Sequence, residues 1–133
     1  MPNKNAVAGN KKLRIAVPSM GDGGLDDILS GHFGHCGVFT LVDVDGKKIT
    51  GVTKLQNIPH HEGGCMAPVN LLKENGVDLI IVGGIGMRPL MGFAQVGIEV
   101  YSGGAGTVEF VVNEFIAGRL MPAGDDVVCG HSR

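Results

Sequence analysis

A chain of 133 residues with 44% hydrophobic and 18% charged side chains and a formal net charge of −2 has the make-up of one globular domain. Roughly two-thirds of its surface can be buried at this length, so neither disulfides nor a structural metal is needed for folding, and its weak charge excludes capture by nucleic acid or an anionic membrane. No apolar run reaches the ~18 residues of a membrane span and no signal-peptide pattern opens the chain; with three cysteines, an odd number, this predicts a cytoplasmic protein with reduced thiols.

Residues 1–11 lack periodicity and read as a disordered extension ahead of a domain over 12–120. Leu13 to Val17 alternates and is stopped by Pro18, which predicts a first strand. Residues 21–30 read as loop, with Leu25, Ile28 and Leu29 able to form one helical turn against the core. Val38 to Val44 is a second strand, and Asp45-Gly46 predicts a tight hairpin into a third strand near Lys48 to Leu55. Pro68 suits the first turn of a short helix that Gly76 ends. Val77 to Val82 is an almost unbroken β-rich run, the signature of a central strand covered on both faces. Arg88 to Val96 then reads as a helix closed by Gly97, Ile98 to Tyr101 as a short strand, and Thr107 as the N-cap of a last helix whose apolar positions, Val108, Val111, Val112 and Phe115, run to Gly118. Residues 119–133 read as irregular, with 121–133 a C-terminal tail. Strand, helix, strand is the rhythm of a parallel crossover, so the expected architecture is an α/β domain with a meander in its first half and wound helices in its second.

All five histidines and all three cysteines fall into three short clusters: Gly31-His32-Phe33-Gly34-His35-Cys36, Asn57-Ile58-Pro59-His60-His61-Glu62-Gly63-Gly64-Cys65, and Cys129-Gly130-His131. Residues filling packing gaps have no reason to sort in this way. Thiolate and imidazole favour zinc, copper and iron, and thiolates suit iron–sulfur chemistry, which excludes a dedicated magnesium or calcium cage. No Cys-x-x-Cys pair occurs, so the pattern matches a zinc ribbon or finger poorly. Ligands on glycine-rich loops instead suit a group larger than one ion, held by few contacts and released. The competing readings are plain ones: Cys65 as a buried thiol at a helix start, His32 and His35 as turn residues beside Phe33, and Cys129 and His131 as part of a loose terminus.

Glycine, at 23 residues, marks the loops. Gly83-Gly84-Ile85-Gly86-Met87-Arg88 follows the central strand and opens a helix, so the backbone at Gly84 and Gly86 and the Arg88 cation can receive an anionic group, or simply make a tight turn. Gly103-Gly104-Ala105-Gly106-Thr107 repeats the arrangement at the next strand end, which predicts a glycine-lined crevice at one end of the sheet.

From about Leu13 to Leu120 the chain resembles the dinitrogenase iron–molybdenum cofactor biosynthesis family, small domains related to NifX and to the C-terminal part of NifB. Gly31-His32-Phe33-Gly34, Asn57-Ile58-Pro59-His60-His61 with Gly63-Gly64-Cys65-Met66, Gly83-Gly84-Ile85-Gly86, and Gly97-Ile98-Glu99-Val100-Tyr101 with Gly106-Thr107-Val108-Glu109 carry the likeness. Family members often have a basic residue after the first Phe-Gly and a longer histidine run; here stand His35-Cys36 and only His60-His61. The resemblance implies a ribonuclease-H-like three-layer fold with a mixed five-stranded sheet, and non-catalytic binding or carriage of an iron–molybdenum or other metal–sulfur cluster. His32, His60, His61 and Cys65 would lie nearest the ligand, with His35 and Cys36 as further metal ligands. The implied partners are proteins that donate or accept the cluster, and the chain itself is expected as a monomer or weak dimer.

Three other readings stand beside this one. A nuclease needs carboxylates gathered around divalent metal, and the first strand has none. A mononuclear zinc or iron site would draw three ligands from the clusters, with Glu62 as the one local general base, and a ligand-free interaction module would bind its partner without metal.

Overall fold

The computed structural model describes residues 12–31, 36–57, 67–83, 85 and 87–123, the side chains of Met87 and Arg88 excepted. In chain order the elements are β1 (Lys12–Ser19), β2 (Val38–Asp45), β3 (Lys48–Gln56), α1 (Ala67–Glu74), β4 (Leu79–Ile81), α2 (Met87–Val96), β5 (Glu99–Ser102), α3 (Val108–Ile116) and β6 (Met121–Pro122). The strands form one mixed sheet in the order β3-β2-β1-β4-β5-β6. β1 pairs antiparallel with β2 and parallel with β4, β4 is parallel to β5, and β3 and β6 are the antiparallel neighbours of β2 and β5.

Period-two alternation sorts the apolar side chains of the central strands onto two faces. Ala16, Phe39, Leu41, Ile80 and Val100 pack with Val69 and Leu72 of α1 and Leu90 and Phe93 of α2. Ile15, Val17, Val42, Val44, Leu79, Ile81 and Tyr101 pack with Val108, Val111, Val112 and Phe115 of α3. The layers are therefore two helices, sheet, one helix. The Tyr101 and Phe115 rings meet edge to face at 4.8 Å, a favoured aromatic geometry.

The three helices among the described residues stop by the same device. Gly76, Gly97 and Gly118 adopt φ of 76°, 82° and 79°, and the N–H of the following residue reaches back five residues, from Val77 to Leu72, Ile98 to Phe93 and Arg119 to Glu114. That left-handed cap suits glycine, which has no Cβ to clash. At α1 and α2 both members of the reaching pair, Val77 with Leu72 and Ile98 with Phe93, are buried in one cluster, so the cap also aims the chain into the next strand. Thr107 caps α3 as expected, accepting the Phe110 N–H at 3.1 Å.

Two sequence expectations need correction. The sheet has six strands, not five; the addition is the two-residue β6, in a stretch that reads as irregular because Met121 and Pro122 show no alternation and are ordered by pairing with Ser102 and Tyr101. β1 runs through Pro18 to Ser19. Proline costs nothing there: its carbonyl, and hence its missing N–H, points away from β2 toward Ser30, whose N–H it accepts at 2.8 Å. Residues 21–30 are loop, as the sequence reads, with one turn closed by Asp27 N–H to Gly24 O at 3.1 Å and short bridges from Leu29 to Ser19 and Ile28 to Thr107.

Asp27 organises that last segment. Its carboxylate accepts from the N–H groups of Gly21 at 2.9 Å, Gly23 at 2.7 Å and Ile28 at 2.7 Å. Partial burial pushes the carboxyl up, and the backbone N–H groups of Ile28, Gly23 and Gly21 together outweigh it and hold it below the usual carboxylate value. A depressed pKa contributes stability that is complete above the unfolded-state value and is lost as pH falls through the folded value. Asp27→Asn should therefore be less stable than the parent at neutral pH, with the gap narrowing as pH drops below about 4; urea unfolding at pH 7, 5 and 3 measures it, and a gap constant with pH would count against this role.

Candidate functional site

Mixed pairing decides which loops share an end of the sheet. At the carboxyl end of the parallel strands β1, β4 and β5, Ser19 pairs with Val38 and Val38 with Gln56, so β2 begins and β3 finishes there too. Ser30 and Gly31, Cys36 and Asn57, Gly83 and Ile85 are thus the described residues from which the histidine, cysteine and glycine segments depart, all on one side of the sheet. Crevices at the carboxyl ends of strands are where open α/β sheets take ligands.

Polar contacts fix this end. Ser19 and Thr40 are fully buried. Ser19 Oγ donates to Val17 O at 2.9 Å, which commits its one proton, so Thr40 is the donor in the 2.7 Å contact between the two hydroxyls. Thr40 Oγ1 in turn accepts the Gly24 N–H at 3.0 Å. The relay is satisfied throughout, as buried hydroxyls require. It holds the 20–29 segment onto β2, and Val108 N–H to Asp27 O at 2.8 Å joins that segment to α3.

Cys36 and Asn57 meet where β2 starts and β3 ends. Asn57 N–H donates to Gly37 O at 2.9 Å, and its side-chain Nδ2 donates to Cys36 O at 2.8 Å and stands 3.8 Å from Cys36 Sγ. Cys36 is 7% exposed within the α1–α2 core cluster. Burial pushes its thiol up to about 11, against smaller opposing hydrogen bonds from Ser19 and Asn57, so it is a neutral, packed thiol at physiological pH. The sequence places it among candidate ligands; in the structure its described contacts are those of an anchor. Asn57 is the residue that motif reading passes over, because its side-chain partner lies 21 positions away.

Of the glycine turns expected to line a crevice, the described residues Gly83 and Gly104 lie in contact distance. The Gly104 N–H donates to Val82 O at 3.1 Å, and a Cβ on Gly83 would come within 3.3 Å of Gly104 O. The two glycine turns therefore lie side by side. Gly104 is also sealed from below: a Cβ there would meet Ile81 Cγ2 at 3.0 Å and Leu29 Cδ2 at 3.2 Å.

His32, His35, His60, His61, Cys65, Gly84 and Gly86 lie outside the described residues, as do Cys129 and His131, and the Arg88 side chain is not described although its backbone sits in the first turn of α2. At Ala123, whose N–H reaches Val100 O at 2.7 Å, the chain is heading away from the carboxyl end of β5. Among the described residues no three His, Cys, Asp or Glu side chains gather as a metal site. Two cavities of about 390 Å³ lie toward the other end of the sheet, one beside Leu90, Ile98 and Pro122, the other around Arg14, Asp43 and Asp78. The second is spanned by structural bonds, Arg14 Nε to Asp43 Oδ1 at 2.8 Å and Nη1 to Asn75 O at 2.9 Å. No described helix is long and apolar enough to cross a membrane.

The family model for dinitrogenase iron-molybdenum cofactor matches residues 11–118. Among solved structures, the protein PH0822 is similar with a TM-score of 0.73 and 30% identity, over 85% of this chain and 97% of that one. The apo form of the orange protein from Desulfovibrio gigas is similar with a TM-score of 0.70 and 26% identity, over 86% and 95%. A Thermotoga protein assigned provisionally to NifB, and to the DUF35 family, has a TM-score of 0.66 and 25% identity, over 83% and 92%.

Packing under the glycine turns yields a direct test. Gly104→Ala should cost about 1–3 kcal/mol, because a methyl must enter a filled site, while Gly31→Ala, where an added Cβ meets nothing within 4 Å, should be close to neutral in the same urea titration. Equal effects would mean that the contact of Gly104 with Ile81 and Leu29 does not limit stability.

Proposed function

The chain belongs to the dinitrogenase iron-molybdenum cofactor family, and from that premise we propose that it binds a metal–sulfur cluster non-covalently, as cargo in cofactor assembly, without catalysing a reaction on it. The observation that carries this reading is the shared origin of the His32–Cys36, His60–Cys65 and Gly83–Arg88 segments at the carboxyl end of the sheet. Imidazole and thiolate are the donor types that soft, sulfur-rich metal centres accept. His32, His60, His61 and Cys65 are assigned as ligands, with His35 and Cys36 as reserve positions, of which Cys36 is disfavoured by its burial. Backbone N–H groups at Gly84 and Gly86 and the Arg88 cation would face the negative charge of an iron–molybdenum or related cluster.

Cargo must arrive and leave, which calls for donor and acceptor proteins and for few, exchangeable ligands. The chain would act in the cytoplasm as a monomer or weak dimer. The sheet is read as ribonuclease-H-like on the order β3-β2-β1-β4-β5, in which β2 alone opposes the others.

Anaerobic purification, with metal and acid-labile sulfide analysis and an absorption spectrum, tests the reading on the intact chain and on a His60→Ala/His61→Ala/Cys65→Ala variant. Expected are iron or molybdenum with sulfide and charge-transfer bands in the parent, reduced by at least about 10-fold in the variant. One zinc per chain without sulfide would replace the cluster with a mononuclear site. A chain that stays metal-free after reconstitution with ferrous iron, molybdate and sulfide would leave an interaction module.

A further inference from the structure

We infer that residues 20–29 and the first turn of α3 form a docking face for a protein surface whose apolar side chains are ringed by lysine or arginine. The inference rests on the cargo reading above only in taking that protein to be a donor or acceptor of the cluster. Ser19 pairs antiparallel with Leu29, and Ile28 with Thr107. Met20 N–H to Ile28 O at 2.9 Å carries the first pairing one step further, so Met20 stands opposite Ile28 and Ile28 opposite Thr107. Opposed residues of antiparallel strands present their side chains to one side, and neighbours along a strand to alternate sides. Ser19 and Leu29 are accordingly buried, while Met20 and Ile28 emerge together on the Thr107 side. Phe110 follows from Thr107, whose Oγ1 accepts the Phe110 N–H at 3.1 Å. Its ring flanks Gly106, where an added Cβ would meet Cδ2 at 3.1 Å. Met20, Ile28 and Phe110 are 70%, 43% and 52% exposed, half of the six large apolar side chains exposed among the described residues. Their concentration on one unit makes a patch, where scattered single residues would be ordinary surface.

The rim of this patch is acidic. Asp22, Asp26 and Glu109 are exposed, and residues 20–29 and 103–118 contain no lysine, arginine or histidine. Lys54 reaches the edge of the unit, its Cε 3.7 Å from a Cβ built on Gly24, and offsets part of the charge. A chain of net charge −2 thus gathers acid around exposed apolar groups. Such a face repels its own copy and other acidic surfaces and steers basic ones toward it, and the unbranched Met20 can adapt to what they bring. Val108 N–H to Asp27 O at 2.8 Å, Glu109 N–H to Leu25 O at 3.0 Å and Leu29 N–H to Gly106 O at 2.9 Å already fasten the segment to α3, so docking has little backbone left to order.

The test uses the full, metal-free chain and two synthetic amphipathic helical peptides, one with a leucine face flanked by lysines and its twin with glutamate for lysine. Fluorescence anisotropy measures affinity at low and high salt, and amide chemical shifts locate the contact. The lysine peptide should bind at least about 10-fold tighter than its twin, weaken as salt rises, and shift amides within 20–29 and 105–113. Ile28→Ser/Phe110→Ser should lose about 10-fold in affinity for the lysine peptide, and Asp22→Asn/Asp26→Asn/Glu109→Gln should lose the preference between peptides while unfolding in urea like the parent. Equal binding of the two peptides, shifts elsewhere on the chain, or parental affinity in the charge-neutralised variant would overturn the face. Self-association through the same amides would overturn the basic partner in favour of a second copy. Cluster uptake without peptide binding would leave the cargo reading standing alone, and peptide binding by a chain that takes up no cluster would refute that reading and keep the face.

Discussion

Strand β1 faces an antiparallel neighbour on one side and a parallel neighbour on the other, and the organisation of the molecule depends on that mixed pairing. An antiparallel partner can follow through a short connection, so the first half of the chain forms a meander in which Asp45 pairs with Lys48 across Gly46 and Lys47. A parallel partner requires a crossover, so the second half carries its helices between strands. With β1 central, both kinds of connection bring chain to the same end of the sheet. Loops far apart in sequence become neighbours without any contact between them being needed to hold them there.

Burial on both faces makes that arrangement stiff. Central strands alternate so that their buried apolar side chains meet either α1 and α2 or α3, and a slip of one residue in any strand would exchange the two sets. The carboxyl end is stiffened by other means. The Ser19–Thr40 relay, the three N–H bonds to Asp27 and the Asn57 amide each satisfy polar groups that helices and ladders leave over, and among the described residues no buried side-chain nitrogen or oxygen lacks a partner. Rigid scaffold beneath, with glycine-rich segments above, is the division that binding sites on loops require.

The proposed reversible carriage of a cluster is compatible with such a division. A carrier needs soft donors that release their ligand, not a charged pair tuned for proton transfer, and the shifted groups at this end serve packing: the Asp27 carboxylate is held by backbone N–H groups and the Cys36 thiol stays protonated by burial. The Asp43 and Asp78 carboxylates are engaged by Arg14 at the far end of the sheet.

What the sequence determined by itself are the features whose causes are local. Helix ends at Gly76, Gly97 and Gly118, the cap at Thr107, the hairpin after Asp45 and the doubly buried run ending at Val82 are written in residues a few positions apart, since capping, turn chemistry and alternation act over that range. The grouping of histidine and cysteine into three clusters was equally legible. Only the tertiary structure decided that β1 continues through Pro18, because the missing N–H matters only once its side of the strand is known; that Met121 and Pro122 join the sheet, because β5 supplies the order they lack; and that Leu29 closes over Gly104. It also decided that Cys36 is buried beside Asn57, from chain 21 residues distant, since no spacing rule reports a partner brought in by the pairing of strands.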